Sequence, residues 1–141
     1  MLNILDKHKN ADYLIHLGDL ERDIEEISYF SDIKILSVRG NCDFGSVSAV
    51  EGEEIIEGKR IFYTHGHTYY VKHGYENIYN EGLRRQADII LFGHTHHAIN
   101  EYRDGVYLFN PGSLSLPDDG KKSYGIIDIV NGQISTNIVK L

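Results

Sequence analysis

Tryptophan is absent, and cysteine and methionine occur once each. A single thiol, Cys42, cannot form an intrachain disulfide, so a secreted disulfide scaffold is excluded. Basic residues are scarce: 14 Lys and Arg against 21 Asp and Glu give a net charge of −7 with His neutral. That balance argues against stable nucleic-acid binding, which needs basic patches to displace counterions. It leaves a phosphorylated substrate open, because bound cations reverse the local sign. No apolar run approaches the roughly 18 residues of a membrane span, and no signal-peptide pattern opens the chain. The expectation is a cytoplasmic protein with no membrane partner. Repeats and low-complexity segments are missing too. What remains suits one globular domain over residues 1–141: 41% hydrophobic and 25% charged residues, enough to bury a core.

The organising stretch is Ile89–His97, Ile-Ile-Leu-Phe-Gly-His-Thr-His-His. A short apolar run bounded by Gly reads as a buried strand. Two histidines, His94 and His96, leave its carboxyl end, where open α/β sheets place their ligands. Three other runs end alike. Tyr13–Leu17 leads to Gly18-Asp19, Ile33–Val38 leads to Gly40-Asn41-Cys42-Asp43, and Arg60–Thr64 leads to His65-Gly66-His67. A carboxylate, an amide and three imidazoles at four strand ends form a mixed oxygen and nitrogen donor set. That set suits Mn²⁺, Fe, Ni²⁺ or Zn²⁺.

Between these runs, Glu21–Phe30 reads as a helix with Ile24, Ile27 and Phe30 inward, and Glu76–Gln86 as one with Ile78, Leu83 and Ala87 inward. Hairpins are expected on Gly58-Lys59, Asp104-Gly105 and Asn131-Gly132. Helices dominate early and hairpins late, which points to an α/β protein with a two-sheet core and helices outside. His16, inside a strand, is expected to be buried and satisfied. Tyr69, Tyr70, Tyr75 and Tyr79 either cap the core or form a stacking wall for a base.

The ordered set Gly18-Asp19, Gly40-Asn41-Cys42-Asp43, Thr64-His65-Gly66-His67 and Gly93-His94-Thr95-His96 resembles the successive motifs of the calcineurin-like metallophosphoesterases. Asn110-Pro111-Gly112-Ser113 further resembles their small single-domain bacterial and archaeal phosphodiesterases. The resemblance implies an α/β/β/α sandwich and two divalent metal ions, Mn first and Ni, Fe or Zn as alternatives. Asp19 would bridge the metals, Asn41, His65 and His94 would complete one site, and His96 would serve the other. A metal-activated hydroxide would attack a small phosphodiester or nucleotide, with Asn41 and His94 beside the reacting group. Cys42, Asp43, Asn110 and Ser113 would line the substrate pocket. Many members carry a proton-donating His where this chain has Cys42, and His67 is the candidate substitute.

The family also opens with a buried strand ending in Asp-x-His. Asp6-Lys7-His8 matches literally, but no apolar strand precedes it, and both residues are expected on the surface of a helix. The chain therefore reads as starting inside the first helix, N-terminally incomplete. A buried strand with three or four large apolar side chains contributes roughly 5–10 kcal/mol, against a net stability of about 5–15 kcal/mol. The expectation is impaired activity and a marginal fold, or one completed in a homo-oligomer. The alternative reading is a non-catalytic scaffold or binding module of the same fold, as in the retromer subunit.

Overall fold

The computed structural model describes residues 1–141. Its centre is the strand β5 (Ile89–Phe92), all four residues of which are buried. Such a strand needs cover on both faces, and parallel neighbours provide the setting. It lies between β4 (Lys59–Thr64) and β7 (Val106–Asn110), both parallel to it. The antiparallel edges β3 (Glu51–Ile56) and β6 (Ile99–Arg103) complete a five-stranded sheet of order β3-β4-β5-β7-β6.

Side chains alternate across this sheet with a period of two. Phe62, Ile90, Phe92 and Leu108 face one way, with Ile78 and Tyr79 of the helix α3 (Glu76–Arg84). Ile61, Tyr63, Ile89, Leu91 and Phe109 face the other way, into a second strand layer. That layer comprises two separate pairs: the parallel β1 (Tyr13–His16) and β2 (Lys34–Ser37), and the antiparallel β8 (Ser123–Val130) and β9 (Gln133–Lys140). The helix α2 (Arg22–Phe30) makes the crossover between β1 and β2, and α1 (Leu2–Lys7) precedes β1.

The expected metallophosphoesterase-type layering is thus present, with its second strand layer in two pieces. A cleft of about 1270 Å³ is lined by residues of α1, β1 and β8 and by the loops that carry Asp19, His94 and His96. No helix is long and apolar enough to cross a membrane.

Several local expectations change. The first hairpin turns on Glu57-Gly58 rather than Gly58-Lys59, with φ of +48° and +77°. Positive φ at both central residues is the type I′ geometry that matches strand twist. Ile24 and Ile27 are buried as expected, but Phe30, the last residue of α2, is 71% exposed. In α3 the inner face is Ile78, Tyr79 and Gly82. Leu83 lies about 140° round the helix from Ile78 and is exposed. Gly82 lets Ile90 pack against the helix, because a Cβ there would stand 2.1 Å from Ile90 Cδ1 and force that side chain to shift. Tyr79 is buried, and Tyr69 and Tyr75 pack on the same cluster, so they cap the core. Tyr70 is exposed.

Candidate metal centre

Parallel strands deliver their carboxyl ends to one edge of a sheet, and four of the expected donors meet there. Sharp turns follow each strand. Asp19, Leu20, His94 and His96 all have φ near +60°, a conformation that costs non-glycine residues free energy and clusters at functional sites. Glycine permits the close approach of the loops. A Cβ on Gly18 would stand 2.6 Å from Gly40 N and 2.7 Å from His65 Nδ1. One on Gly40 would stand 2.0 Å from Asp19 Oδ1. Gly40→Ala is therefore expected to displace the Asp19 carboxylate, costing about 1–3 kcal/mol of stability by overpacking. Metal affinity should fall with it. Chemical unfolding and a metal titration check the two effects separately.

His65 is the centre of the cluster and is only 2% exposed. Its Nδ1 lies 2.6 Å from the Leu17 carbonyl oxygen. A carbonyl only accepts, so Nδ1 carries the proton and Nε2 presents a free lone pair. That lone pair faces Asn41 Oδ1 at 3.0 Å, His94 Nδ1 at 3.0 Å and Asp19 Oδ2 at 3.5 Å. Burial lowers the pKa of His65. Burial, then the nearby His65, Lys72 and His67, lowers His94 to about 4. Both imidazoles are neutral at pH 7 and free to coordinate.

The surroundings lock these donors in place. Asp19 Oδ1 accepts from the Cys42 backbone N–H at 3.0 Å. Asp43 accepts from the N–H groups of Gly40 at 2.7 Å, Asp19 at 2.8 Å and Glu21 at 3.1 Å. Its carboxylate ties the loop after β1 to the loop after β2, so Asp43 clamps the two loops together. Burial alone would raise its pKa, but the three backbone donors hold it below 3.8. A depressed carboxylate stabilises the fold above its unfolded value, and that contribution is lost as pH falls below about 3.8. Asp43→Asn sets an amide NH2 against at least one of the three N–H groups, where a carboxylate oxygen had accepted. It is expected to cost about 1–3 kcal/mol at neutral pH and to flatten acid sensitivity below pH 4, as pH-dependent urea unfolding would show.

Asn110 is the second such brace. It is fully buried. Its Nδ2 donates to the Gly93 carbonyl and to Thr95 Oγ1, both at 3.0 Å, and its Oδ1 accepts from the Gly112 N–H at 3.0 Å. With its polar groups paired and no exposure, it braces the histidine loop from behind. Ser113 Oγ accepts from the N–H groups of Ser115 and Leu116, yet Ser113 still lines the cleft. Cys42 is exposed beside Asn41.

His67 places its ring 5.3 Å from that of His65 and 6.1 Å from that of His94, and its buried Nδ1 has no partner. His96 lines the cleft with Asp19. Asp6 is exposed, and the half-buried His8 turns to the Tyr124 hydroxyl at 3.0 Å, so neither joins the donors. His16 is not satisfied as expected: its buried Nδ1 is unpaired. Lys72, which bears on His94, carries no motif signal; a short 3-10 turn, Val71–His73, brings it near.

The donor set fits a divalent ion. No group of three or more His, Cys, Asp or Glu side chains stands ready as a metal cage; what the structure shows is three donor atoms, the Asn41 amide oxygen among them, around His65 Nε2. Two ligands about 2.1 Å from one ion stand roughly 3.0 Å apart at right angles and roughly 3.4 Å apart at the tetrahedral angle. The 3.0, 3.0 and 3.5 Å spacings around His65 Nε2 match. The His65 lone pair also faces the Asp19 and Asn41 oxygens, which have no proton to share. A cation among them relieves that repulsion.

Comparison with known proteins agrees. The family described as the calcineurin-like phosphoesterase superfamily domain matches residues 1–132. Phosphodiesterase YfcE of Escherichia coli is 36% identical over 104 residues, 67% of this chain and 53% of that protein. The chain thus spans about half the length of that relative. A conserved Streptococcus pneumoniae protein described as a predicted phosphoesterase superposes with a TM-score of 0.84 at 22% identity, covering 98% of this chain and 79% of that one. Zinc-bound Vps29 of Entamoeba histolytica superposes with a TM-score of 0.78 at 19% identity, covering 99% and 89%. At those identities the two structures show the fold alone. The sequence match carries the kinship: the chain belongs to the calcineurin-like phosphoesterase superfamily, within its small bacterial and archaeal group.

Proposed function

We propose that this chain carries the metal-dependent site of a phosphodiesterase acting on a small phosphodiester or nucleotide. The observation that carries the reading is His65. Its tautomer is set by Leu17, and its free Nε2 meets the donors of Asn41, His94 and Asp19 within 3.0–3.5 Å. Residues in this arrangement would hold one divalent ion, with Mn²⁺ the first choice. Asp19 and His96 would contribute to a second, thinner position. The ions, when bound, supply Lewis acidity toward phosphoryl oxygens and make water a nucleophile at neutral pH.

The chain's own residues supply orientation and protons. Leu17 and Asn110 hold the two histidine-bearing turns rigid. Cys42 and Asn41 lie at the exposed side of the donors, where a phosphodiester would enter. His67 is the imidazole near the cluster left without a partner, and it takes the role of proton donor to the leaving oxygen. Lys72 adds positive charge on the same side, which favours an anionic substrate.

Hydrolysis of bis-para-nitrophenyl phosphate, with Mn²⁺ and then with a chelator, tests the reading. Diester turnover is expected with metal, to exceed turnover of the para-nitrophenyl monoester, and to stop on chelation. Turnover indifferent to chelation, or none in protein shown to hold metal, would contradict it.

A further inference from the structure

The turns after β1 and β2 carry two large apolar side chains that the core does not use. Leu20 is 58% exposed and Phe44 is 93% exposed. Each directly follows residues of the site: Leu20 comes after Asp19, and Phe44 after Asn41-Cys42-Asp43. Asp43 fixes the two turns against each other. Its carboxylate accepts from the Asp19 N–H and from the Glu21 N–H, the residues on either side of Leu20. The two side chains therefore stand on adjoining turns at fixed positions.

Neither turn is slack. Leu20 has φ of +61°, a conformation that costs a residue with a side chain free energy and persists only where the surroundings impose it. The loop of Phe44 is closed by the Ser46 N–H on the Asp43 carbonyl at 3.2 Å and by the Arg39 guanidinium on the Ser46 carbonyl at 3.0 Å. Apolar surface that is already ordered pays little further entropy when a ligand covers it.

Position decides what these side chains meet. Asn41 Oδ1 and Asp19 Oδ2 face His65 Nε2 at 3.0 and 3.5 Å, so a phosphoryl group at those donors has the β1 and β2 turns beside it. His67 and Lys72 belong to the turns after β4, in the other strand layer. A diester has two ester arms. With His67 as proton donor, the leaving arm lies toward the β4 turns and the retained arm toward Leu20 and Phe44. The charged side chains of residues 18–21 and 40–46 are Asp19, Glu21 and Asp43, all acidic. They repel an anionic arm and leave a neutral apolar one unopposed.

We infer that Leu20 and Phe44 form an apolar rim that selects diesters whose retained ester arm is aromatic. The inference rests on the phosphodiesterase reading and deepens it by naming the substrate class. An aromatic arm packs against the Phe44 ring in an offset or edge-on arrangement and covers Leu20 from water.

The test uses the full chain loaded with Mn²⁺. Phenyl para-nitrophenyl phosphate and methyl para-nitrophenyl phosphate share a leaving group, so the ratio of their kcat/KM values reports the retained arm. The ratio is measured for the wild type, Leu20→Gly, Phe44→Ser and Val47→Ser. Glycine adopts the Leu20 conformation without strain, so that variant keeps its fold. Val47 is fully exposed on the same loop and controls for the loss of exposed apolar surface. The wild-type preference for the phenyl ester, relative to the uncatalysed reactions, is expected to be at least about tenfold, the low end for an apolar pocket. Leu20→Gly and Phe44→Ser should each cut it at least threefold, and Val47→Ser should not. Calorimetric binding of diphenyl and dimethyl phosphate makes the same comparison without turnover. Turnover of both esters with no phenyl preference, or with a preference that both variants keep, would overturn the rim and leave the phosphodiesterase reading standing. Phenyl-selective binding that both variants lose, without turnover of either ester, would support the rim and contradict that reading. Binding of neither diester would overturn both.

Discussion

Replacing His65 with alanine is expected to abolish tight metal binding and reduce diester turnover to background. His65 supplies the donor atom around which the other three are arranged, at 3.0, 3.0 and 3.5 Å. Loss of groups that merely orient a ligand typically costs 10- to 100-fold in affinity, so loss of the ligand itself should cost at least about 100-fold. The substitution also leaves the Leu17 carbonyl without its partner, for about 1–3 kcal/mol. His94→Ala separates the two effects. His94 is half-buried and does not hold Leu17, so that variant should keep its thermal transition while losing metal. Calorimetric titration with Mn²⁺ and a melting curve on both variants check this. Retained affinity in a folded His94→Ala chain would remove His94 from the donor set.

His67→Asn should behave in the opposite way. Its imidazole lies near the donors, with ring centroids 5.3 Å from His65 and 6.1 Å from His94. General acid catalysis by a positioned imidazole is worth about 10²–10⁴-fold. The variant is expected to bind metal like the wild type and to hydrolyse bis-para-nitrophenyl phosphate about 10²–10⁴-fold more slowly. The defect should grow with the pKa of the leaving group, because a poor leaving group depends most on a proton. Diesters with a graded series of phenols measure that dependence. A uniform loss across the series would assign His67 to positioning instead.

The donors were legible before the structure because each carries three coincident signals: an apolar run, a Gly and a metal-capable side chain. Parallel strands then deliver such residues to one edge as a matter of topology. Residues whose role depends on side-chain direction were not legible. Asn110 and Asp43 sit in motifs that resemble pocket residues, yet their polar atoms turn inward onto backbone groups. Nothing in a loop sequence says which way an amide or carboxylate points. The inner face of α3 is hard to read because Gly82 has no side chain to show in a hydrophobic pattern, although it packs directly against Ile90. The partition of the second strand layer follows from which strands pair, a long-range property that local pattern does not encode.

The most direct measurement is the amount of metal bound per chain after loading with Mn²⁺ and desalting, by elemental analysis, for the wild type and His65→Ala in parallel. The account predicts about one tightly held ion per wild-type chain, because Asn41, His94 and Asp19 gather round the free Nε2 of His65. It predicts none in the variant. A wild-type chain that is folded and retains no metal, or a variant that retains as much as the wild type, would contradict it.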